Sequence, residues 1–314
     1  MRPPAVLAIH GGAGPAPDGG DGADDHGSRW ARQAAGLAAA LRAGRAVLTG
    51  GGAALEAVLA AVTVLEDDEE WNAGRGSALT AVGTVEMDAA VADGWARRLG
   101  GVAAVTGVRH PVLAARAVMD DGRHVLLAGP GAEAFARDAG LAFEPEEWFI
   151  TDRRRRALAR RPGADRIPTV GGSTVGAVAR DAGGHLAAAT STGGRTGQLP
   201  GRVGDSPVPG AGTWAEDSTC AVSATGVGEA FLRAAFAHEV DARLRLEGAA
   251  LDAACREALA AVTSAGGDGG CIAVSAAERA PVMPFTTALM HRGWVEVGGP
   301  MWVGAAPGPL ERID

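Results

Sequence analysis

Lysine and tyrosine are absent from the 314 residues, and asparagine occurs once, at Asn72. All 29 basic side chains are therefore arginine, set against 37 acidic ones, for a formal net charge of −8. Such an acid balance gives no general hold to phosphate backbones or anionic lipid. The one basic run, Arg153 to Arg156 with Arg160 and Arg161, has no aromatic stacking pattern beside it and reads as a solvated linker, not a nucleic-acid contact. Three cysteines (Cys220, Cys255, Cys271) are an odd, sparse set without metal-ligand spacing; they form no disulfide framework and fit a reducing cytosol. No apolar run approaches the roughly 20 residues of a membrane span. The opening "MRPPAVLAIH" turns to "GGAG" too soon for a secretory apolar region. The expectation is a cytoplasmic protein with neither nucleic-acid nor membrane partners.

What is present fits an ordinary globular chain: 47% hydrophobic and 21% charged residues, with room for a large core in one or two domains. The 48 glycines accompany an arginine and alanine bias, so each says little singly. "AVLAIH" (Ala5 to His10) reads as a buried strand ending in a glycine turn. "RWARQAAGLAAALRAGRAVL" and "AALEAVLAAVTVLEDD" read as helices, the second with Leu55, Val58, Leu59, Val62 and Leu65 on one face. Pro111 opens another helix, and His124 to Gly129 reads as a strand. Further strands are expected at Val175–Ala179, Leu186–Thr190, Thr219–Ala224, Ile272–Ser275, Val282–Thr286 and Met301–Gly304. Long helices are expected at Gly228–Arg245 and Ala249–Ser264. Neighbouring strands without a helix between them predict antiparallel hairpins, and clustered strands and helices predict an α+β class with sheets between helix layers.

Four stretches can carry chemistry. In "GGSTVGAVARD", Thr174 stands where a basic, proline-punctuated segment meets an apolar strand. It is either a strand-edge threonine or a future chain terminus. A threonine hydroxyl is a poor nucleophile, and an α-amine on the same residue, with a pKa near 7.7–8.0, is the base it needs. Thr169 imitates it in sequence but leads into "GGS", not a strand. In the long loop "STGGRTGQLPGRVGDSP", Arg202 and Asp205 lie three apart: a local ion pair, or a cation and anion that grip the carboxylate and amine of an amino acid. "CAVSATGVGEAF" is a strand, glycine turn and helix, whose free N–H groups suit an oxyanion. A dinucleotide turn is the rival, with Phe231 where its third glycine belongs. "EDDEEWNAGRG" is either a solvated helix end or a loop whose carbonyls hold a hard cation. His10 reads as a satisfied strand-end residue.

Together these stretches resemble the plant-type L-asparaginases, or isoaspartyl peptidases, of the N-terminal-nucleophile hydrolases. The resemblance runs nearly end to end through "IHGGAG", "WNAGRGS", "EMDAAVADG", "HPVLAARAVM", "TVGAVARD", "AAATSTGG", "LPGRVGDSP", "ATGVGEAFLRA" and "MPFTTALMHRGW". It implies a four-layer αββα sandwich with antiparallel sheets, one hydrolase domain over residues 1–314, cut by the protein itself between Ser173 and Thr174 into 1–173 and 174–314. Thr174 would be the nucleophile and Thr192 its aligning neighbour. Thr225 and Gly226 would form the oxyanion hole, Asn72 would help place the nucleophile, and Arg202 and Asp205 would take the substrate carboxylate and amine. Backbone carbonyls of Leu65, Glu66, Asp68, Trp71, Ala73 and Arg75 would hold a structural sodium ion, with no cofactor for catalysis. The implied partners are small molecules, β-aspartyl dipeptides and L-asparagine, and the implied assembly is a homodimer of cleaved protomers. Ser173 stands where that family has glycine or, in its glycosylasparaginase branch, aspartate. A glycosylasparaginase-like hydrolase, or an uncleaved, catalytically silent amino-acid-binding scaffold, is the alternative.

Overall fold

The computed structural model describes residues 3–15, 23–160 and 174–313, with backbone only for 23–26. The first part runs β1 (Val6–Gly14), α1 (Ala23–Thr49), α2 (Ala54–Asp67), β2 (Met87–Asp93), β3 (Arg98–Val105), α3 (Pro111–Asp121), β4 (Leu126–Ala128), α4 (Gly129–Asp138), α5 (Glu146–Phe149) and α6 (Asp152–Ala159). The part from Thr174 runs β5 (Val175–Arg180), β6 (Leu186–Thr192), β7 (Thr213–Ala215), β8 (Cys220–Gly226), α7 (Gly228–Ala234), α8 (Phe236–Ala242), α9 (Leu251–Ser264), β9 (Gly269–Ser275), β10 (Leu289–Glu296), β11 (Met301–Gly304) and β12 (Glu311–Ile313). Nine strands form one sheet in the order β12-β11-β10-β1-β5-β6-β2-β3-β4, and β7-β8-β9 form a second. Every strand pair is antiparallel except β3 with β4.

The two-residue period of a strand sorts its side chains between faces. Leu7 and Ile9 of β1, Val175, Ala177 and Ala179 of β5, and Ala187 and Ala189 of β6 join the apolar cluster built with α1, α2 and α3. Their alternates, Val6, Ala8, Val178, Leu186 and Ala188, meet Ala221, Ile272 and Val274 of the second sheet. On that sheet's other face, Val222, Ala224, Cys271 and Ala273 pack with α7, α8 and α9. The central strands are buried on both faces, which is why β5 and β6 are runs of small apolar residues rather than apolar–polar alternations. All three cysteines are free and buried.

Four expectations change. Strand β1 does not end at His10 in a glycine turn but runs on to Gly14, with a bulge between His10 and Gly12. The helix read over Gly228–Arg245 breaks at Ala235, whose φ is 46°. The first amides of α8 are taken by another segment: Ala237 N donates to Ala211 O (3.1 Å) and His238 N to Gly210 O (2.8 Å). The strand read at Val282–Thr286 is reduced to isolated bridges, Val282 with Ala273 and Phe285 with Gly270. Pro281 and Pro284 cannot donate to a ladder, and the continuous strand is β10, paired with β1. The arginine run is not a solvated linker: residues 153–156 lie in α6, whose start is capped by the Thr151 hydroxyl accepting Arg154 N at 3.3 Å. Arg161 lies outside the described residues.

Ile272 is fully buried where the two sheets meet. Ile272→Ala is expected to cost about 2–5 kcal/mol, read by denaturant unfolding; a loss under about 0.5 kcal/mol would contradict this packing.

Candidate active site

Thr174 is the residue before β5 and is buried, 6% exposed. Val175 pairs with Ser191 of β6, so the next position outward brings Thr174 beside Thr192. The Thr174 hydroxyl donates to the Thr192 hydroxyl at 3.2 Å. The Thr174 carbonyl lies 2.9 Å from Nδ1 of His10, on the neighbouring strand β1. A carbonyl only accepts, so Nδ1 carries the hydrogen and Nε2 must accept. It does so from the Ser223 hydroxyl at 2.9 Å. Ser223 in turn accepts from Thr190 (2.7 Å), and Thr190 from Thr213 (2.7 Å). The result is a buried row of hydroxyls donating in one direction, ending on the Thr174 carbonyl. Gly176 makes the row possible: a Cβ there would overlap the Ser223 hydroxyl and press on His10 Nε2. Burial holds the imidazole neutral, its pKa pushed down to about 3.

Asn72 is fully buried and ties the turn after β6 to its own loop. Its Nδ2 donates to Gly194 O (2.7 Å), its Oδ1 accepts Ala78 N (2.6 Å), and its carbonyl accepts Gly193 N (3.0 Å). Gly194 N donates to the Thr192 hydroxyl oxygen at 3.0 Å, so Asn72 reaches Thr174 through one turn. Thr225 and Gly226 end β8. The Thr225 hydroxyl accepts Ala13 N at 3.2 Å, and no acceptor among the described residues takes its hydrogen.

Arg202 and Asp205 come together around Gly228. A Cβ at 228 would lie 2.7 Å from Arg202 Nη2 and 2.8 Å from Asp205 Oδ1, so the bare glycine lets a cation and an anion face one point. They are not a surface ion pair. Arg202 Nε donates to Glu229 Oε1 (3.1 Å), while Asp205 is 5% exposed and its Oδ2 has no partner. Burial raises the Asp205 carboxyl to about 6, against the lowering charge of Arg202. Asp88 of β2 holds this loop by accepting Gly204 N (3.1 Å) and Ala104 N (2.9 Å), and burial pushes it also to about 6.

The loop after α2 carries the carbonyls read as cation ligands. Glu66 O accepts Arg75 N (2.7 Å), Asp68 O accepts Trp71 N (3.1 Å), and Trp71 O accepts Arg154 Nη2 (3.1 Å). Arg154 Nε also donates to Gly76 O, and Arg153 to Glu69 O. Each carbonyl has two lone pairs, and for Ala73 and Arg75 no carbonyl partner is described. Oxygen donors of the kind a hard cation takes thus remain in this loop, with the Arg154 guanidinium already on one of them. The Glu66 side chain turns away, accepting the Ser191 hydroxyl (2.6 Å) and Val112 N (3.0 Å); burial raises its pKa. Ser173 and the 173–174 bond lie outside the described residues.

Sequence reasoning did not find Ser223, Thr190, Glu229 or Asp88, nor what His10 touches. The available signal was polar residues inside otherwise apolar strands, Thr190 in "AAATST" and Ser223 in "AVSATG".

A family model described as asparaginase matches residues 3–304. The chain is 43% identical over 305 residues to an isoaspartyl peptidase of Salmonella typhimurium, covering 94% of this chain and 96% of that protein. It is 41% identical over 309 residues to a plant-type L-asparaginase of Pyrobaculum calidifontis (93% and 97%), and 47% identical over 202 residues to an isoaspartyl peptidase/L-asparaginase of Rattus norvegicus (63% and 61%). No helix of the described residues is long and apolar enough to cross a membrane.

The His10 ring is expected to stay neutral, hydrogen on Nδ1, from pH 8 down to 5 in nitrogen-detected NMR; an imidazolium signal at pH 6 would contradict the donor row. Because the pKa of His10 is depressed in the fold, the unfolded chain binds the proton first. His10 therefore favours folding most above about pH 6.5 and loses about 1.4 kcal/mol per unit as pH falls from there toward 3.

Proposed function

The chain belongs to the asparaginase family, and from that premise we propose that it hydrolyses the β-linked amide of β-aspartyl dipeptides and L-asparagine, with Thr174 as a self-released N-terminal nucleophile. The observation that carries this reading is the buried Thr174 hydroxyl on the Thr192 hydroxyl, at the residue that leads into a central strand.

Cleavage before Thr174 gives residues 1–173 and 174–314 and frees an α-amine on the nucleophile itself. The amine takes the hydroxyl proton as the oxygen attacks the side-chain carbonyl of the substrate. Before cleavage Thr192 accepts from that hydroxyl and fixes its place; once the amine takes that hydrogen, the Thr192 hydroxyl turns its own hydrogen to the Thr174 oxygen and aligns it. The tetrahedral oxyanion is held at Thr225 and Gly226. The Thr225 oxygen is already engaged by Ala13 N, which leaves its hydrogen to donate. The amine then returns the proton to the leaving ammonia or amino acid, and water attacks the threonyl ester to release aspartate. Arg202 binds the α-carboxylate and Asp205 the α-ammonium, on either side of Gly228. Asn72 is a positioning residue, holding the 193–194 turn behind Thr192.

A sodium ion on the carbonyls of Leu65, Glu66, Asp68, Trp71, Ala73 and Arg75 would supply positive charge that stiffens the loop carrying Asn72; catalysis itself asks for no cofactor. The three apolar clusters, one between the sheets and one under each helix group, support a four-layer αββα sandwich forming a single domain. The homodimer of cleaved protomers rests on the family resemblance, and the cytoplasmic setting on the sparse, free cysteines. The paired poles at Gly228 suit a free amino-acid head group, and the buried Thr174–Thr192 hydroxyl pair favours hydrolysis over a silent scaffold.

Thr174→Ala is therefore expected to abolish turnover of β-aspartyl dipeptides and L-asparagine, by more than about 10³-fold; retained hydrolysis would end the reading. In the wild type, kcat/KM is expected to fall tenfold per unit as the base amine protonates below about pH 7.7, and more steeply below about 6, where Asp205 also protonates and no longer holds an ammonium. An acid limb that keeps the single slope from pH 7 to 4.5 would remove Asp205 from that role.

A further inference from the structure

We propose that Arg195 sets substrate choice by binding the free α-carboxylate of the amino acid that leaves when a β-aspartyl peptide is cut, an inference that rests on the hydrolase reading above. Arg195 is 7% exposed and follows Thr192 by three residues. Its backbone is fixed to the reacting pair: Arg195 N donates to Gln198 Oε1 (2.7 Å), and the preceding Gly194 donates to Thr192 (3.0 Å) and accepts from Asn72 (2.7 Å). Its guanidinium shares one carboxylate with Arg202. Arg195 Nη1 donates to Glu229 Oε2 (3.0 Å) and Arg202 Nε to Glu229 Oε1 (3.1 Å). Two cations thus stand side by side at the site.

Glu229 satisfies only part of Arg195. Its Nε and Nη2 are buried and have no partner among the described residues. The Asp268 carboxylate feels the Arg195 charge and has a buried Oδ1 without a partner, but it makes no ion pair with Arg195 among those residues. Buried guanidinium N–H groups without acceptors are costly, and their fork matches a carboxylate. The aspartyl half of the substrate cannot supply one. Its α-carboxylate belongs to Arg202, and its β-carboxyl is the scissile amide. The second carboxylate must come from the leaving group. Ammonia, released from asparagine, has none, whereas a leaving amino acid with a free C-terminus carries one. The substrate class is accordingly the β-aspartyl dipeptide with a free α-carboxylate, in preference to its capped amide.

The test compares kcat/KM for β-Asp-Leu, for the same dipeptide with a C-terminal carboxamide, and for L-asparagine, using the purified full chain after its own processing. The wild type is expected to favour the free acid over the capped amide by about 10- to 100-fold, the scale of a buried charge-assisted hydrogen-bonded pair. Arg195→Gln and Arg195→Met should bring that ratio within about threefold of unity. The wild-type ratio needs no variant, so a variant that fails to fold does not blunt the test. A wild-type ratio near one, or a preference that survives both substitutions, overturns the role of Arg195 while leaving the hydrolase reading standing. Absence of turnover of all three compounds overturns both.

Discussion

Two hydrogen bonds fix Thr174, and the rest of the molecule is arranged to make them. One runs from its hydroxyl to Thr192, the other from His10 to its carbonyl. Both partners sit on strands that flank β5, so the position of one residue depends on the pairing of three central strands. Those strands are buried on both faces, which leaves no water to substitute for a lost partner. The hydroxyl row from Thr213 to Ser223 supplies the donor that His10 Nε2 needs, and it can form only because residue 176 has no side chain.

Around this fixed point the charges are set in pairs that leave something over. Glu229 joins Arg195 and Arg202, yet nitrogens of Arg195 stay unpartnered; Asp205 sits opposite Arg202 with a free oxygen. A structure that buries polar atoms without partners is organised around a ligand or around strain, and the zwitterion of an amino acid has the complementary ends. Arg154 acts elsewhere, pinning α6 to the loop that carries Asn72 through Trp71 O and Gly76 O. The helix at the end of the first segment thereby bears on the same turn that supports Thr192.

Much of this was legible in the sequence. The change from a basic stretch to an apolar strand at "STVGAVAR" marked Thr174, and the spacing of Arg202 and Asp205 pointed to a divided charge site. What was not legible lies at long range. His10 is 164 residues from the carbonyl it holds and 213 from Ser223, and no local pattern links them. The arginine run looked like solvated polymer because composition does not reveal that Arg154 has backbone carbonyls to bond. The break at Ala235 carries neither glycine nor proline; it follows from carbonyls at 210 and 211 that claim the next helix's amides. Strand β10 was missed because Val282 and Phe285 mimic a strand that Pro281 and Pro284 forbid.

The central claim is that the chain opens before Thr174 and that this threonine becomes an N-terminus. Intact mass spectrometry of the freshly purified wild-type protein, followed by N-terminal sequencing, addresses it without any assay of turnover. Two polypeptides, 1–173 and 174–314, the second beginning Thr-Val-Gly-Ala, are the predicted result. A single 314-residue chain that persists on prolonged incubation would contradict it.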